Sequence, residues 1–412
     1  MAFFHGGTHT KTISDFLDFS ANTSPLGVNT EAAKALTALS MDFSILAAYP
    51  DPNCTELKEL LAKFWEFDGP ILCGAGAADL IQLISLVYGK NVQGTAFNLI
   101  IEPAFSEFEN ALNLVCHEDK ILHLPLDEKN DFLWTEEDFN KFEKILAGGV
   151  PLVFMASPSN PSGNLVSREM LFRIADACEK TQTVLCLDSC FCQFSDESEN
   201  TVRALIKESK RFPHLIILNA FTKIYGMAGL RLGYALCCSE VTYNSLVKSM
   251  RSWSISTDAQ VTGSAVIRSE LKGKPWQKQI QNIVHKEKKR LVSFLQTQDL
   301  RIVDGEANYV LFKLSDKLQK RAEDYALYYE TKVVQKKERS FSRKQTLFEI
   351  HEDIVDPPSA PLCRAMAKNN MLIRGCSDFF GLDSTWYRVA VKDKDENLKL
   401  IEKLKEIFSY EH

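Results

Sequence analysis

Three short apolar runs in this chain each give way to a polar cluster. Residues 152–156 run into Ser157-Pro-Ser-Asn160-Pro-Ser-Gly163, residues 184–187 end on Asp188, and residues 215–218 lead to Asn219-Ala-Phe-Thr-Lys223. In an open parallel sheet a ligand sits outside the carboxyl ends of the strands, so the three clusters are expected to open onto one crevice. Taken singly each signal is weak, because a lone Asp after a strand commonly caps a turn and a lone Lys is usually on the surface. Together they supply a lysine amine for an aldehyde, a carboxylate to keep a pyridine nitrogen protonated, and an amide for a phenolic oxygen. Those are the groups that pyridoxal 5'-phosphate (PLP) requires of a protein.

A bound phosphate also needs backbone N–H donors at a helix start and a fixed cation. Gly74-Ala-Gly76-Ala77-Ala78-Asp79 opens an apolar helix, and Thr222 and Arg231 flank Lys223. The glycines would let the backbone approach an anion. A dinucleotide fingerprint is the rival reading of Gly74-Ala-Gly76, but Asp79 stands where G-x-G-x-x-G needs Gly or Ala. Near the other end, Arg388 lies inside the apolar run Trp-Tyr-Arg-Val-Ala-Val, where a guanidinium needs an anion. Arg374 is placed similarly.

The elements that must position these residues form an α/β pattern. Expected strands are 95–101, 152–156, 184–187, 215–218 and 231–236, alternating with amphipathic stretches such as 167–180. This describes a mainly parallel sheet flanked by helices. Past residue 285 a lysine-rich helix, 286–296, and separate strands near 309–312 and 371–374 suggest a smaller α+β domain. The expected division is an N-terminal arm over 1–45, a large domain over 46–285 and a small domain over 286–412. Within the last, 315–368 reads as a solvated basic insertion, with Lys336, Lys337, Arg339, Arg343 and Lys344 followed by Pro357, Pro358 and Pro361.

Composition narrows the partners. The 412 residues carry 48 Lys and Arg against 54 Asp and Glu, a net charge of -6, and no basic block suggests nucleic acid. The 11 cysteines fall in apolar runs or side by side, as expected of reduced thiols, and without zinc spacing no metal is expected. No signal-peptide pattern or membrane-length apolar run occurs, so a cytoplasmic protein is expected.

Asn160-Pro-Ser-Gly163, Asp188 and Thr222-Lys223-Ile-Tyr-Gly-Met-Ala-Gly-Leu-Arg231-Leu-Gly-Tyr resemble the class I/II aminotransferases of PLP fold type I. Within them, His5-Gly-Gly7, Leu17-Asp-Phe-Ser-Ala-Asn22-Thr-Ser-Pro-Leu-Gly27, Tyr49-Pro-Asp-Pro52, Gly305-Glu-Ala-Asn308-Tyr309 and Met371-Leu-Ile-Arg374-Gly-Cys are most similar to the threonine-phosphate decarboxylase and histidinol-phosphate aminotransferase branch, with the decarboxylase nearer. The resemblance implies that Lys223 forms the Schiff base and moves protons, Asp188 pairs with the pyridinium and Asn160 binds the phenolic oxygen. It implies that Phe105 stacks on the ring and that Ala77, Ala78, Thr222 and Arg231 hold the phosphate. Tyr49 would reach in from the second subunit of a homodimer. Arg388, with Asn22, would clamp a substrate carboxylate, and Arg374, assisted by His5, a second anionic group such as a phosphate. Three positions depart from the family pattern: Ala220 replaces a frequent Ser, Phe191 a frequent Tyr, and Ser189 an acidic residue.

The expected function is a phosphothreonine-type decarboxylase acting on a small phosphate- or phosphonate-bearing amino acid or amine. An aminotransferase of histidinol-phosphate or phosphonate type is the first alternative. A non-catalytic sensor or scaffold is the second, against which the retained Lys223, Asp188 and Arg231 argue.

Overall fold

The computed structural model describes residues 16–91, 96–273, 276–339 and 360–411. They form two compact units. The larger comprises Leu26–Asn282 with Gly305–Ala307, and the smaller comprises the described residues of Met1–Pro25, Ile283–Asp304 and Asn308–His412.

A short strand β1 (Leu17–Asp18) comes first in the chain and belongs to the smaller unit. The larger unit holds β2 (Ile71–Gly74), β3 (Asn98–Glu102), β4 (Ile121–Pro125), β5 (Leu152–Ala156), β6 (Val184–Asp188), β7 (Leu215–Ala220) and β8 (Gly233–Cys237). They form one sheet in the order β2-β8-β7-β6-β5-β3-β4. Only β8 runs against the rest, being antiparallel to both β2 and β7. Strands β2, β3, β6, β7 and β8 are buried along their whole length, which is why they read as unbroken apolar runs rather than alternating ones.

On one face Leu80, Ile81 and Ile84 of helix Ala77–Tyr88 pack with Phe108 of helix Glu107–Asn113 against Leu72, Ile100, Phe154 and Ile216. Each such side chain contributes about 1.5–3 kcal/mol on burial. Helix Arg168–Lys180 starts one residue later than its expected range, because Ser167 is its cap, accepting the Met170 amide at 3.2 Å. Several strand boundaries also differ from the expected ranges: β3 starts at Asn98, β6 runs on to Asp188, β7 to Ala220 and β8 to Cys237. Pairing with β4 extends β3 to Glu102, and Arg231 stands outside β8 at a left-handed φ of 51°.

The smaller unit contains β9 (Leu300–Val303), β10 (Tyr309–Leu314), β11 (Met371–Leu372), β12 (Arg374–Gly375) and β13 (Trp386–Ala390). An antiparallel sheet has the order β12-β13-β10-β9, and β11 pairs instead with β1. The single strand expected near 371–374 is therefore two, with Ile373 between partners on different sheets.

The basic insertion needs a larger correction. Asp316–Arg339 is one helix, and its Leu318, Ala322, Tyr325 and Ala326 enter the core with Phe312, Leu400 and Leu404. Their spacing is that of one helical face, which the intervening charges obscure. Lys336, Lys337 and Arg339 lie on this helix, Pro361 opens helix Pro361–Ala367, and Arg343, Lys344, Pro357 and Pro358 lie outside the described residues. The lysine-rich stretch near 286–296 belongs to a longer helix, Trp276–Leu295. All 11 cysteines are free, and no helix among the described residues is long and apolar enough to cross a membrane.

Candidate active site

The topology of the larger unit gathers chemistry at one sheet edge. Ala156 of β5 pairs with Asp188 of β6, and Asp188 with Leu218 of β7. Ala220 at the end of β7 pairs with Gly233 at the start of β8, which in turn pairs with Gly74 at the end of β2. The segments carrying Asn160, Asp188, Lys223, Arg231 and the Gly74–Ala78 turn thus leave or enter the sheet along the same side, as does the segment after β3 that carries Phe105.

Asp188 is 8% exposed, and its Oδ1 accepts the Cys190 amide at 2.9 Å. Burial pushes its pKa up, opposed by the Cys190 hydrogen bonds and by the charge of Lys223. Lys223 is half-buried, with Nζ 5.6 Å from the centre of the Phe191 ring. A desolvated carboxylate facing a lysine charge suits a ligand that brings a protonated ring nitrogen and an aldehyde. Asn160 is half-buried, and Phe105 packs edge-on to Phe108 with ring centres 6.2 Å apart.

The phosphate cradle is tested by its glycines. Gly76 caps helix Ala77–Tyr88 at φ 92° with no side-chain cap bond, so the first N–H groups of the helix are uncapped by side chains. A Cβ on Gly76 would come within 2.7 Å of Arg231 Nη2, and one on Gly233 within 2.8 Å of the Ala77 amide nitrogen. Backbone amides and a guanidinium are held together only because both positions lack side chains. Thr222 is half-buried beside Lys223. These residues fit the phosphate of PLP. Tyr49 is 79% exposed and stacked on Trp253 with ring centres 4.6 Å apart.

In the smaller unit Arg374 and Arg388 are cross-strand partners, 4% and 5% exposed. Like charges in that relation repel. Burial and the neighbouring Arg374 both act to lower the pKa of Arg388. Arg388 Nη2 donates to Ser20 O at 3.0 Å, and its guanidinium lies 5.2 Å from the Tyr309 ring centre. Asn22 is buried with its Oδ1 lacking a hydrogen-bond partner. His5 lies outside the described residues.

Sequence reasoning missed several contacts. Asp378 is ion-paired to Arg374 at 2.6 Å, four residues on in a turn. Around the lysine loop, the Trp276 indole donates to Ile224 O at 2.9 Å and the Asn29 amide to Tyr225 O at 2.9 Å. Gln193, five residues past Asp188, donates from Nε2 to the Tyr225 hydroxyl at 3.2 Å and to Gln277 Oε1 at 3.0 Å. One hydrogen-bonded network therefore ties the turn after Asp188 to the loop of Lys223. The spacing Lys223-Ile-Tyr225 was the only signal available for it. At the three atypical positions, Ala220 donates its amide to Asn219 Oδ1 at 2.7 Å, the Ser189 hydroxyl donates to Leu218 O at 2.6 Å, and Phe191 is buried.

The chain matches known proteins over most of its length. The family model described as aminotransferase class I and II matches residues 14–404. The chain is 26% identical to the threonine-phosphate decarboxylase of Salmonella typhimurium over 95% of its length and 91% of that protein's. It is also 26% identical to the histidinol-phosphate aminotransferase of Ruminiclostridium cellulolyticum, over 73% of this chain and 79% of the other. Among solved structures, the histidinol-phosphate aminotransferase from Clostridium acetobutylicum superposes with a TM-score of 0.73 at 22% identity, covering 95% of this chain and 99% of that one. With a match over nearly the whole chain and a fitting site at the sheet edge, the protein belongs to the class I and II aminotransferase family and is a PLP-dependent enzyme.

Proposed function

We propose that this enzyme is a decarboxylase of a small amino acid bearing a phosphate or phosphonate group, of the threonine-phosphate type. The observation that carries the reading is the buried pair Arg374 and Arg388, directly opposite each other across β12 and β13. Two buried arginines on neighbouring strands offer two cationic groups, which suits a ligand with two anionic groups. Phosphothreonine has both a carboxylate and a phosphate.

PLP, when bound, supplies an electron sink for the bond broken at the substrate's Cα. Asp188 holds the ring nitrogen protonated, Asn160 donates to the phenolic oxygen, and Phe105 packs on the ring. Ala77, Ala78, Thr222 and Arg231 hold the phosphate. Lys223 provides the covalent attachment and carries the proton. Arg388 and Asn22 fix the substrate carboxylate, Arg374 the tail, and His5 assists Arg374. With the carboxylate fixed for departure, CO₂ leaves and Lys223 returns a proton to the same carbon. An aminotransferase would use the same groups differently, with Lys223 taking the α-proton and the carboxylate retained. The similarity to a threonine-phosphate decarboxylase over 95% of this chain favours the first course.

The enzyme works as a cytoplasmic homodimer in this reading, with exposed Tyr49 completing the partner's phosphate site. The test is to supply O-phospho-L-threonine without any keto acid and follow CO₂. Release of CO₂ with an equal amount of amine supports the reading, and turnover that requires a keto-acid acceptor refutes it.

A further inference from the structure

We propose that Asp378 is a specificity-determining residue, competing with the substrate's anionic tail for Arg374. The inference rests on the reading of Arg374 as the tail-binding group. Asp378 Oδ2 lies 2.6 Å from Arg374 Nη2, while Arg374 Nη1 donates to Gly375 O at 2.7 Å. A guanidinium grips an oxyanion through the edge made by its two Nη atoms or the edge made by Nε and Nη2. Both edges include Nη2. Nη2 carries two N–H groups, one in each fork, so an oxyanion in the fork that Asp378 uses must displace it, and one in the other fork shares Nη2 with it at short range from its charge.

The two partners differ in how firmly they are held. Arg374 is 4% exposed, paired on β12 and packed 5.2 Å from the Phe379 ring centre, whereas the Asp378 side chain is 36% exposed in a turn. The carboxylate is thus the group that yields. Its charge also reaches Arg388, whose pKa it acts to raise. Without a substrate, Asp378 relieves the repulsion between two buried guanidiniums. With one, it opposes the tail by like charge at short range, more strongly for a dianion than for a monoanion. Asp378 accordingly stabilises the ligand-free enzyme and restrains its affinity for phosphate, narrowing the gap between phosphate and singly charged tails.

The holoenzyme tests this with inorganic phosphate as the probe and O-phospho-L-threonine as the ligand. Wild type, Asp378→Asn, Arg374→Ala and the double variant are compared by thermal melting and by KM. Asp378→Asn is expected to lower the Tm without phosphate, enlarge the Tm rise that phosphate produces, and tighten phosphate binding by about tenfold. That gain should vanish in the Arg374→Ala background. A lower Tm with unchanged or weaker phosphate affinity would overturn the inference, since Asp378 would then merely brace the arginine. If Arg374→Ala leaves phosphate and O-phospho-L-threonine binding intact, the tail-binding reading fails first and this inference with it. Asp378→Ser serves if the Asn variant does not fold.

Discussion

Lys223 and Asp188 have chemically distinct failures, which makes them separable by substitution. Lys223→Ala removes the only amine assigned to hold the cofactor covalently, so the purified variant should lack a borohydride-reducible visible band while melting as a folded protein. A reducible band in that variant would sink the assignment. For Asp188, burial disfavours the charged carboxylate, and its raised pKa means that stability falls as pH rises from the ordinary carboxylate range through the folded value. Asp188→Asn should therefore leave the cofactor-free protein at least as stable at neutral pH while reducing turnover by several orders of magnitude. Melting curves of the apoprotein and rates of the holoenzyme check both halves, and near-normal turnover would mean that another carboxylate does this work. Arg374→Ala should raise KM for a phosphorylated substrate by roughly 10- to 150-fold, the equivalent of about 1.5–3 kcal/mol of charge-assisted bonds, and hardly affect the unphosphorylated analogue. Equal losses on both would refute a tail-binding role.

The elements around these residues differ in how far the sequence discloses them. Strand ends carrying Asn160, Asp188 and Lys223 are legible because each follows a short apolar run, and a parallel sheet puts such ends on one side. The grip on the lysine loop is not legible, since it depends on residues such as Trp276 and Gln193 that are remote in the chain and meet only in the fold. Asp378 escaped notice because a turn, rather than a helical or strand period, brings it back to Arg374. The helix Asp316–Arg339 is not legible as a core element because its apolar face is sparse among charges. At this scale the cradle offers a clean test. A Cβ on Gly233 would press on backbone, 2.7 Å from Gly76 C and 2.8 Å from Ala77 N, where no side chain can move aside. Such overpacking costs about 1–3 kcal/mol. Gly233→Ala should weaken cofactor binding by about tenfold or more, read as the PLP concentration needed to restore the visible band. Unchanged affinity would mean that the β2–β8 edge does not shape the phosphate site.

For the molecule as a whole, the proposed dimer makes a prediction that no single chain can satisfy. Tyr49 is exposed on its own chain, yet the reading places it in the partner's phosphate site. Tyr49→Ala and Lys223→Ala preparations, each impaired, should recover activity when mixed under exchange conditions, because a hybrid dimer contains one site with both native residues. No recovery despite exchange would place Tyr49 outside the partner's site. The central claim concerns the reaction itself. The most direct measurement incubates the purified holoenzyme with O-phospho-L-threonine alone, following CO₂, amine and the visible spectrum together. The account predicts one CO₂ and one amine per substrate consumed, with the starting spectrum restored after repeated turnovers. Accumulation of pyridoxamine phosphate without CO₂, and turnover only once a keto acid is added, would contradict it.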